Sequence, residues 1–132
     1  MAYLPTIAPK WVKVTKTYTD FATAGLTNNI TIYSLPAKGV IHSVQVNPST
    51  IFSGGLIATY TISIGITGVL AKYAIATNVF TGATLPIISN LPGIESLTLA
   101  TDIKAAAIST IGNLNAATQG VIDIWILVSQ LV

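Results

Sequence analysis

Residues 29–76 read NITIYSLPAKGVIHSVQVNPSTIFSGGLIATYTISIGITGVLAKYAIA. Three runs in this stretch alternate between two sets of side chains. Ile30, Ile32 and Ser34 alternate with Thr31, Tyr33 and Leu35. Val40, His42, Val44 and Val46 alternate with Ile41, Ser43, Gln45 and Asn47. Tyr60, Ile62, Ile64 and Ile66 alternate with Thr59, Thr61, Ser63 and Gly65. Successive side chains of a strand point to opposite faces, so each run offers an apolar face and a mixed one. The β-branched content suits a pleated surface. Compact turn signals separate the runs. Pro36-Ala37-Lys38-Gly39 predicts a turn that joins Ile30–Leu35 and Val40–Asn47 as a hairpin. Asn47-Pro48-Ser49 predicts the end of the second strand. Ser53-Gly54-Gly55 predicts a break before a strand over Leu56–Ile66, and Gly68 a turn into a strand over Val69–Ala76.

Outward from this centre the pattern continues. Val12–Tyr18 alternates as a half-exposed strand, and a polar connection follows over Asp20–Asn29, with Phe21, Ala24 and Leu26 as its apolar anchors. On the C-terminal side, Thr77–Ser96 carries Gly82, Pro86, Pro92 and Gly93 and reads as a long ordered loop with room for a short strand. Leu97–Leu99 and Ile103–Ser109 read as short strands. Gly112–Gly120 reads as a polar turn. In the last strand, Val121–Leu131, Ile122, Ile124, Ile126 and Val128 form the core face; Asp123, Trp125, Leu127 and Ser129 form a second, partly apolar face. The expected fold is all-β: an antiparallel, jelly-roll-like β-sandwich of about eight strands with almost no helix. A closed barrel is the alternative architecture.

The domain boundaries follow from the prolines. Pro5 and Pro9 make residues 1–11 an extended N-terminal arm, and residues 12–132 one sandwich domain. Tyr3, Leu4, Ile7 and Trp11 give the arm apolar side chains that need cover.

Composition narrows the function. Apolar residues make up 52% of the 132 residues and charged residues 8%, against about 25% charged in an average soluble domain. There are six Lys, no Arg, and eighteen Thr that supply much of the polarity. Such a surface calls for cover by other subunits, and a homo-oligomer is expected. The interface candidates are Tyr3, Leu4, Ile7 and Trp11 in the arm, and Trp125, Leu127 and Leu131 in the last strand. The net charge of +2 reflects a shortage of acids. Without Arg the bidentate reading of bases and phosphates is missing, so no nucleic-acid partner is expected. No apolar stretch reaches the roughly 20 residues a membrane helix needs, so no membrane partner is expected either.

The residues for catalysis are sparse. His42 is the only histidine and there is no cysteine. By alternation His42 falls on the Val40/Val44/Val46 face, where a hydrogen-bonded structural role is expected. No G-x-S-x-G elbow, Walker loop or metal-ligand spacing occurs. Glu95 and Asp102 could form a glycosidase pair, but on turn-rich segments they read as solvated or capping groups. No catalytic, cofactor or metal site is expected. Trp11, Trp125, Tyr33, Tyr60 and Tyr73 are the candidates for stacking against a sugar.

TNNITIYSLPAKGVIHSVQVNPSTIFSGG at 27–55, TYTISIGITG at 59–68 and AKYAIATNVF at 71–80 resemble small virion structural proteins of tailed bacteriophages: capsid decoration (cement) proteins and the β-domains of head or tail fibres. The resemblance covers less than half of the chain and brings no catalytic motif. It implies a virion location after assembly in the host cytoplasm. It also implies a major capsid protein or other virion subunits as partners, and a trimer on a local threefold axis of the capsid. A fibre module that binds host-surface carbohydrate is the alternative it carries.

Overall fold

The computed structural model describes residues 6–80, 87–89, 95–96 and 99–131. In chain order the strands are β1 (Thr6–Thr17), β2 (Thr27–Leu35), β3 (Gly39–Ser53), β4 (Thr59–Ile66), β5 (Val69–Asn78), β6 (Ile87–Ser89), β7 (Glu95–Ser96), β8 (Thr101–Thr110) and β9 (Gln119–Leu131). A single helical turn, α1 (Tyr18–Phe21), follows β1, and a 3₁₀ turn at Leu114–Ala116 precedes β9. One sheet has the order β1-β9-β3-β6, with β7 also pairing β3; the other has the order β2-β8-β4-β5. All named pairings are antiparallel.

This order follows from one long chain reversal. The pairs β1·β9, β2·β8, β3 with β6 and β7, and β4·β5 are nested around the β4–β5 turn, and the rolled ribbon places β9 beside β3 and β8 beside β4. That is the jelly-roll arrangement. β6 pairs with Val44–Val46 and β7 with Val40–Ile41, so the two short strands share one edge position. The nine strands among the described residues therefore fill eight places.

The core lies between the sheets. Ile122, Ile124 and Ile126 of β9 are fully buried and oppose Tyr60, Ile62 and Ile64 of β4 and the small Ala105 and Ala107 of β8. The alternation read from both stretches is thus the inward face of each sheet. At one end the rings of Phe21, Phe52 and Tyr60 pack in tilted pairs, Phe21–Phe52 with centroids 6.5 Å apart and Phe52–Tyr60 4.8 Å apart. Phe21 does anchor the β1–β2 connection, whereas Leu26 and Ala24 are exposed. The backbone N–H of Thr17 donates to Asp20 Oδ2 at 2.8 Å, which caps α1 and turns the chain out of β1.

Several expectations need correction. β2 and β3 do not form a hairpin: β2 pairs with β8 in one sheet and β3 with β9 in the other. The turn is real, with Gly39 N–H donating to Pro36 O at 3.0 Å and Lys38 at φ 62°. It carries the chain from one layer to the next, because Leu35 of β2 and Ile41 of β3 on either side are both buried in the core between the sheets. Pro48 does not end β3. The strand runs on to Ser53 through register shifts beside Pro48 and Thr50, where a missing N–H is tolerated. β4 starts at Thr59, with Leu56 left in the preceding turn. Leu99 lies in a bend rather than a strand, and residues 97–98 fall outside the described residues. The segment assigned to an arm is paired from Thr6 onward: Thr6 faces Leu131, Ile7 faces Gln130 and Trp11 faces Leu127. β1 is an edge strand, and Pro9 falls within its irregularity between Ile7 and Lys10, which is how an edge accepts proline.

Candidate interaction surface

Directly paired residues of antiparallel strands share a face, so the register of β1, β9 and β3 defines the outer surface of the first sheet. Three rows cross it: Trp11, Leu127 and Ser43; Lys13, Trp125 and Gln45; and Thr15, Asp123 and Asn47. Trp11 is 44% exposed, and Trp125 and Leu127 are half-buried. Three of the interface candidates thus stand together on one outward face. The backbones of Ile7 and Leu131 lie in β1 and β9 near the edge of the same sheet. Tyr3 and Leu4 are outside the described residues.

The polar groups of this face serve its own order. Thr15 Oγ1 donates to Asp123 Oδ1 at 2.7 Å. Lys13 Nζ lies 4.0 Å from Asp123 Oδ2 and 5.4 Å from the Trp125 ring centroid. The ion pair is solvent-screened and contributes little. The ammonium lies over the indole within cation–π reach, and the face carries two tryptophans among polar side chains. Such a face suits association, with aromatic anchors at the centre and polar groups at the rim.

His42 is not on the core face. The register of β3 against β9 slips between Ile41 and Ser43, so His42 is the extra residue of a bulge. The bulge brings Ile41, Val44 and Val46 inward together, each at 1% exposure or less, and turns His42 outward. Its Nε2 lies 2.7 Å from Ser129 Oγ. The hydrogen-bonded role is as expected and the face is not.

The other candidate chemistry disperses. Among the described residues no three His, Cys, Asp or Glu side chains gather as a metal site. Asp102 accepts a hydrogen bond from Ser34 Oγ at 3.3 Å, a cross-strand surface contact. Tyr60 and Tyr73 are buried in the core and cannot stack on a sugar; Tyr33, Trp11 and Trp125 remain accessible. Burial raises the Tyr60 phenol well above its ordinary value. A cavity of about 80 Å³ opens at the β1–β2 side against Tyr33 and Leu35, and one of about 230 Å³ lies over Ala106, Ser63 and Leu70. Both are smaller than an ordinary small-molecule site.

The sequence reading missed a second apolar surface. Leu26, Leu56 and Ile111 are 44%, 74% and 85% exposed, in the connections that follow β1, β3 and β8. Their signal was available: each lies in a short connection of small and polar residues beside Gly, Leu26 after Gly25, Leu56 after Gly55 and Ile111 before Gly112.

No family model matches the chain, and none of the curated proteins matches it. Solved structures do. A chain in the cyanophage Pam1 capsid asymmetric unit superposes with a TM-score of 0.71 at 13% identity, covering 100% of this chain and 91% of that one. A chain in the acidic stable capsid structure of Helicobacter pylori bacteriophage KHP30 superposes with a TM-score of 0.57 at 12% identity, covering 95% and 93%. The chain therefore shares its whole fold, end to end, with chains of similar length in two phage capsids.

Proposed function

We propose that this chain is a non-enzymatic structural subunit of a phage virion, and within it a decoration or cement protein that binds the outer capsid lattice and stabilises it. The observation that carries this reading is the full-length superposition on a chain of the Pam1 capsid. A jelly roll of such modest length fits an accessory subunit that sits on a lattice. The low charge and the aromatic outer face of the first sheet support the same reading. Burying that face against neighbours contributes about 25 cal/mol per Å² of apolar area, less the cost of ordering the partners.

The protein is an oligomer in this reading, with a trimer favoured, and Trp11, Trp125 and Leu127 form the subunit contact. Tyr3 and Leu4 precede the β1 edge and dock on an adjacent subunit, with Ile7 and Leu131 at the margin. Mass spectrometry and cryo-electron microscopy of purified particles test the assignment. Copies in regular array on the outer capsid surface are expected; absence from the shell refutes it.

A second reading rests on Trp11 and Trp125 sharing one face with Gln45 and Asp123, an arrangement that suits sugar stacking in a head or tail fibre module. Binding on a glycan array, with the protein located in fibres rather than the shell, would favour it.

A further inference from the structure

The core is incompletely sealed along one edge of the sandwich. β1 and β2 are the edge strands there, one in each sheet. The inward row of β1 is Lys10, Val12, Val14 and Lys16, opposite the buried Val128, Ile126, Ile124 and Ile122 of β9. Val12 and Val14 pack on the core, whereas Lys10 is exposed. A lysine in such a row keeps its ammonium in water and offers only its stem as cover. β1 therefore sets no apolar side chain over Val128 and Leu35. The cavity of about 80 Å³ lies at that point, between Tyr33, Leu35, Pro36 and Val128, with Lys10 and Gln130 as polar lining. Leu35 and Val128 are 1% and 3% exposed, so the cavity reaches the core itself. The connection into β8 starts from β7, at the opposite edge of the first sheet, and β2 separates β8 from this seam.

Residues 1–5 carry a side chain that fits. An apolar cavity of about 150 Å³ admits a benzene ring; about half that volume suits one aliphatic side chain, and Leu4 supplies it. Leu4 precedes Pro5, which holds its backbone extended. The same proline keeps Leu4 from its own cavity. Thr6 and Ile7 pair with Leu131 and Gln130 at the end of the β1–β9 ladder, and the cavity lies further in, at the pair of Lys10 and Val128. A reversal over residues 4–7 would pull Thr6 out of its extended pairing. A reversal over residues 3–6 would put Pro5 third in the turn, where a trans proline is disfavoured.

We propose that Leu4 of one copy fills the seam cavity of an adjacent copy. The proposal names the acceptor for the docking of this segment on a neighbour and rests on that reading. The segment needs a host and the cavity needs a guest, and both belong to this chain. Donor and acceptor are different places on the chain, so the contact is heterologous and repeats from copy to copy, which closes into a ring such as a trimer. The guest restores to Leu35 and Val128 the contacts that a void withholds. The extended backbone before Pro5 keeps the ordering cost of docking small.

The native chain has no cysteine, so paired cysteines read the contact directly. A disulfide needs Cα atoms within about 7 Å. Oxidation of the associated Leu4→Cys/Lys10→Cys variant, and of Tyr3→Cys/Lys10→Cys, which keeps Leu4, should give disulfide-linked oligomers on a non-reducing gel. The control Leu4→Cys/Lys16→Cys, with its second cysteine at the other end of the inward row, should not. Leu4→Ala should weaken association at least tenfold in sedimentation across a concentration series, while the dilute chain keeps its thermal midpoint. Disulfides closed within single chains, or a lowered midpoint for Leu4→Ala, overturn the exchange in favour of a segment folded on its own core. Absence of a disulfide in both pairs, or equal linking of the control, overturns the cavity as host. Full association of Leu4→Ala overturns Leu4 as the guest. A wild type that binds phage shells and stays monomeric at every concentration overturns the second copy and leaves the virion reading standing. A wild type that neither associates nor binds shells overturns both.

Discussion

The ring of Phe52 lies directly against the bare Cα of Gly120, in the space a side chain at that position would occupy. Gly120 also sits at φ 149°, where an L side chain is strained. The first turn of β9 and the aromatic end of the core thus depend on one missing methyl group. Gly120→Ala should destabilise the fold by about 1–3 kcal/mol through overpacking. Gly55→Ala, with nothing near the added methyl, should be close to neutral. Thermal denaturation of the two variants side by side makes the comparison, and equal midpoints would count against the Phe52 contact.

Ile111→Asn should raise stability by about 1 kcal/mol, since Asn tolerates the left-handed region and Ile does not. Urea denaturation measures it. A loss of stability would mean that the exposed isoleucine has cover within its own chain.

His42 and Ser129 should prove coupled. Each single change, His42→Ala or Ser129→Ala, should cost about 0.5–1.5 kcal/mol. The double variant should cost clearly less than the sum, as a double-mutant cycle resolves. Simple additivity would show that the 2.7 Å contact contributes nothing.

Tyr60 is fully buried, and its hydroxyl has no hydrogen-bond partner among the described residues. Tyr60→Phe should therefore be neutral or stabilising by up to about 1 kcal/mol. It should also change the alkaline limb. Burial raises the folded phenol's pKa, so the unfolded chain releases this proton first. The stability is complete below the ordinary phenol value of about 10 and is lost as the pH rises above it. The Phe variant should lose less stability between pH 9 and pH 11 on this scale. An identical decline in both proteins would remove Tyr60 from the account.

Trp11→Ser with Leu127→Ser should leave a folded chain that associates at least roughly 30-fold more weakly, on the scale of a 2 kcal/mol anchor. Sedimentation across a concentration series reads this directly. Unchanged association would move the subunit contact away from the first sheet.

What could be read from the sequence was what period and residue type encode. The alternation of Ile62 with Ser63 and of Ile124 with Trp125 specifies two-faced strands; Ile124 and Trp125 divide between core and surface as expected, whereas Ser63 is buried, with its Oγ donating to Leu70 O at 2.9 Å. The β4–β5 hairpin was legible because Gly68, at φ 85°, supplies the turn within a continuous alternation. The errors have a common cause. Pro36 to Gly39 encodes a reversal of direction, and nothing local states whether the returning strand joins the same sheet or the facing one. The bulge at His42 adds one residue to a strand without changing its composition, so every face assigned across it by counting is inverted. Trp11 and Leu127 lie at opposite ends of the sequence, and only the register of β1 on β9 brings them into contact.

The position of β9 has a consequence for biosynthesis. The strand made last fills the middle of its sheet, with β1 on one side and β3 on the other. During translation, at about 5–20 residues per second, β1 and β3 have no common neighbour until that strand emerges. A product that stops short of residue 119 therefore leaves β1 without its partner and cut off from β3, β6 and β7, and lacks the row of Trp11 and Leu127. The outer face that carries Trp11 and Leu127 thus exists only once the last strand is in place.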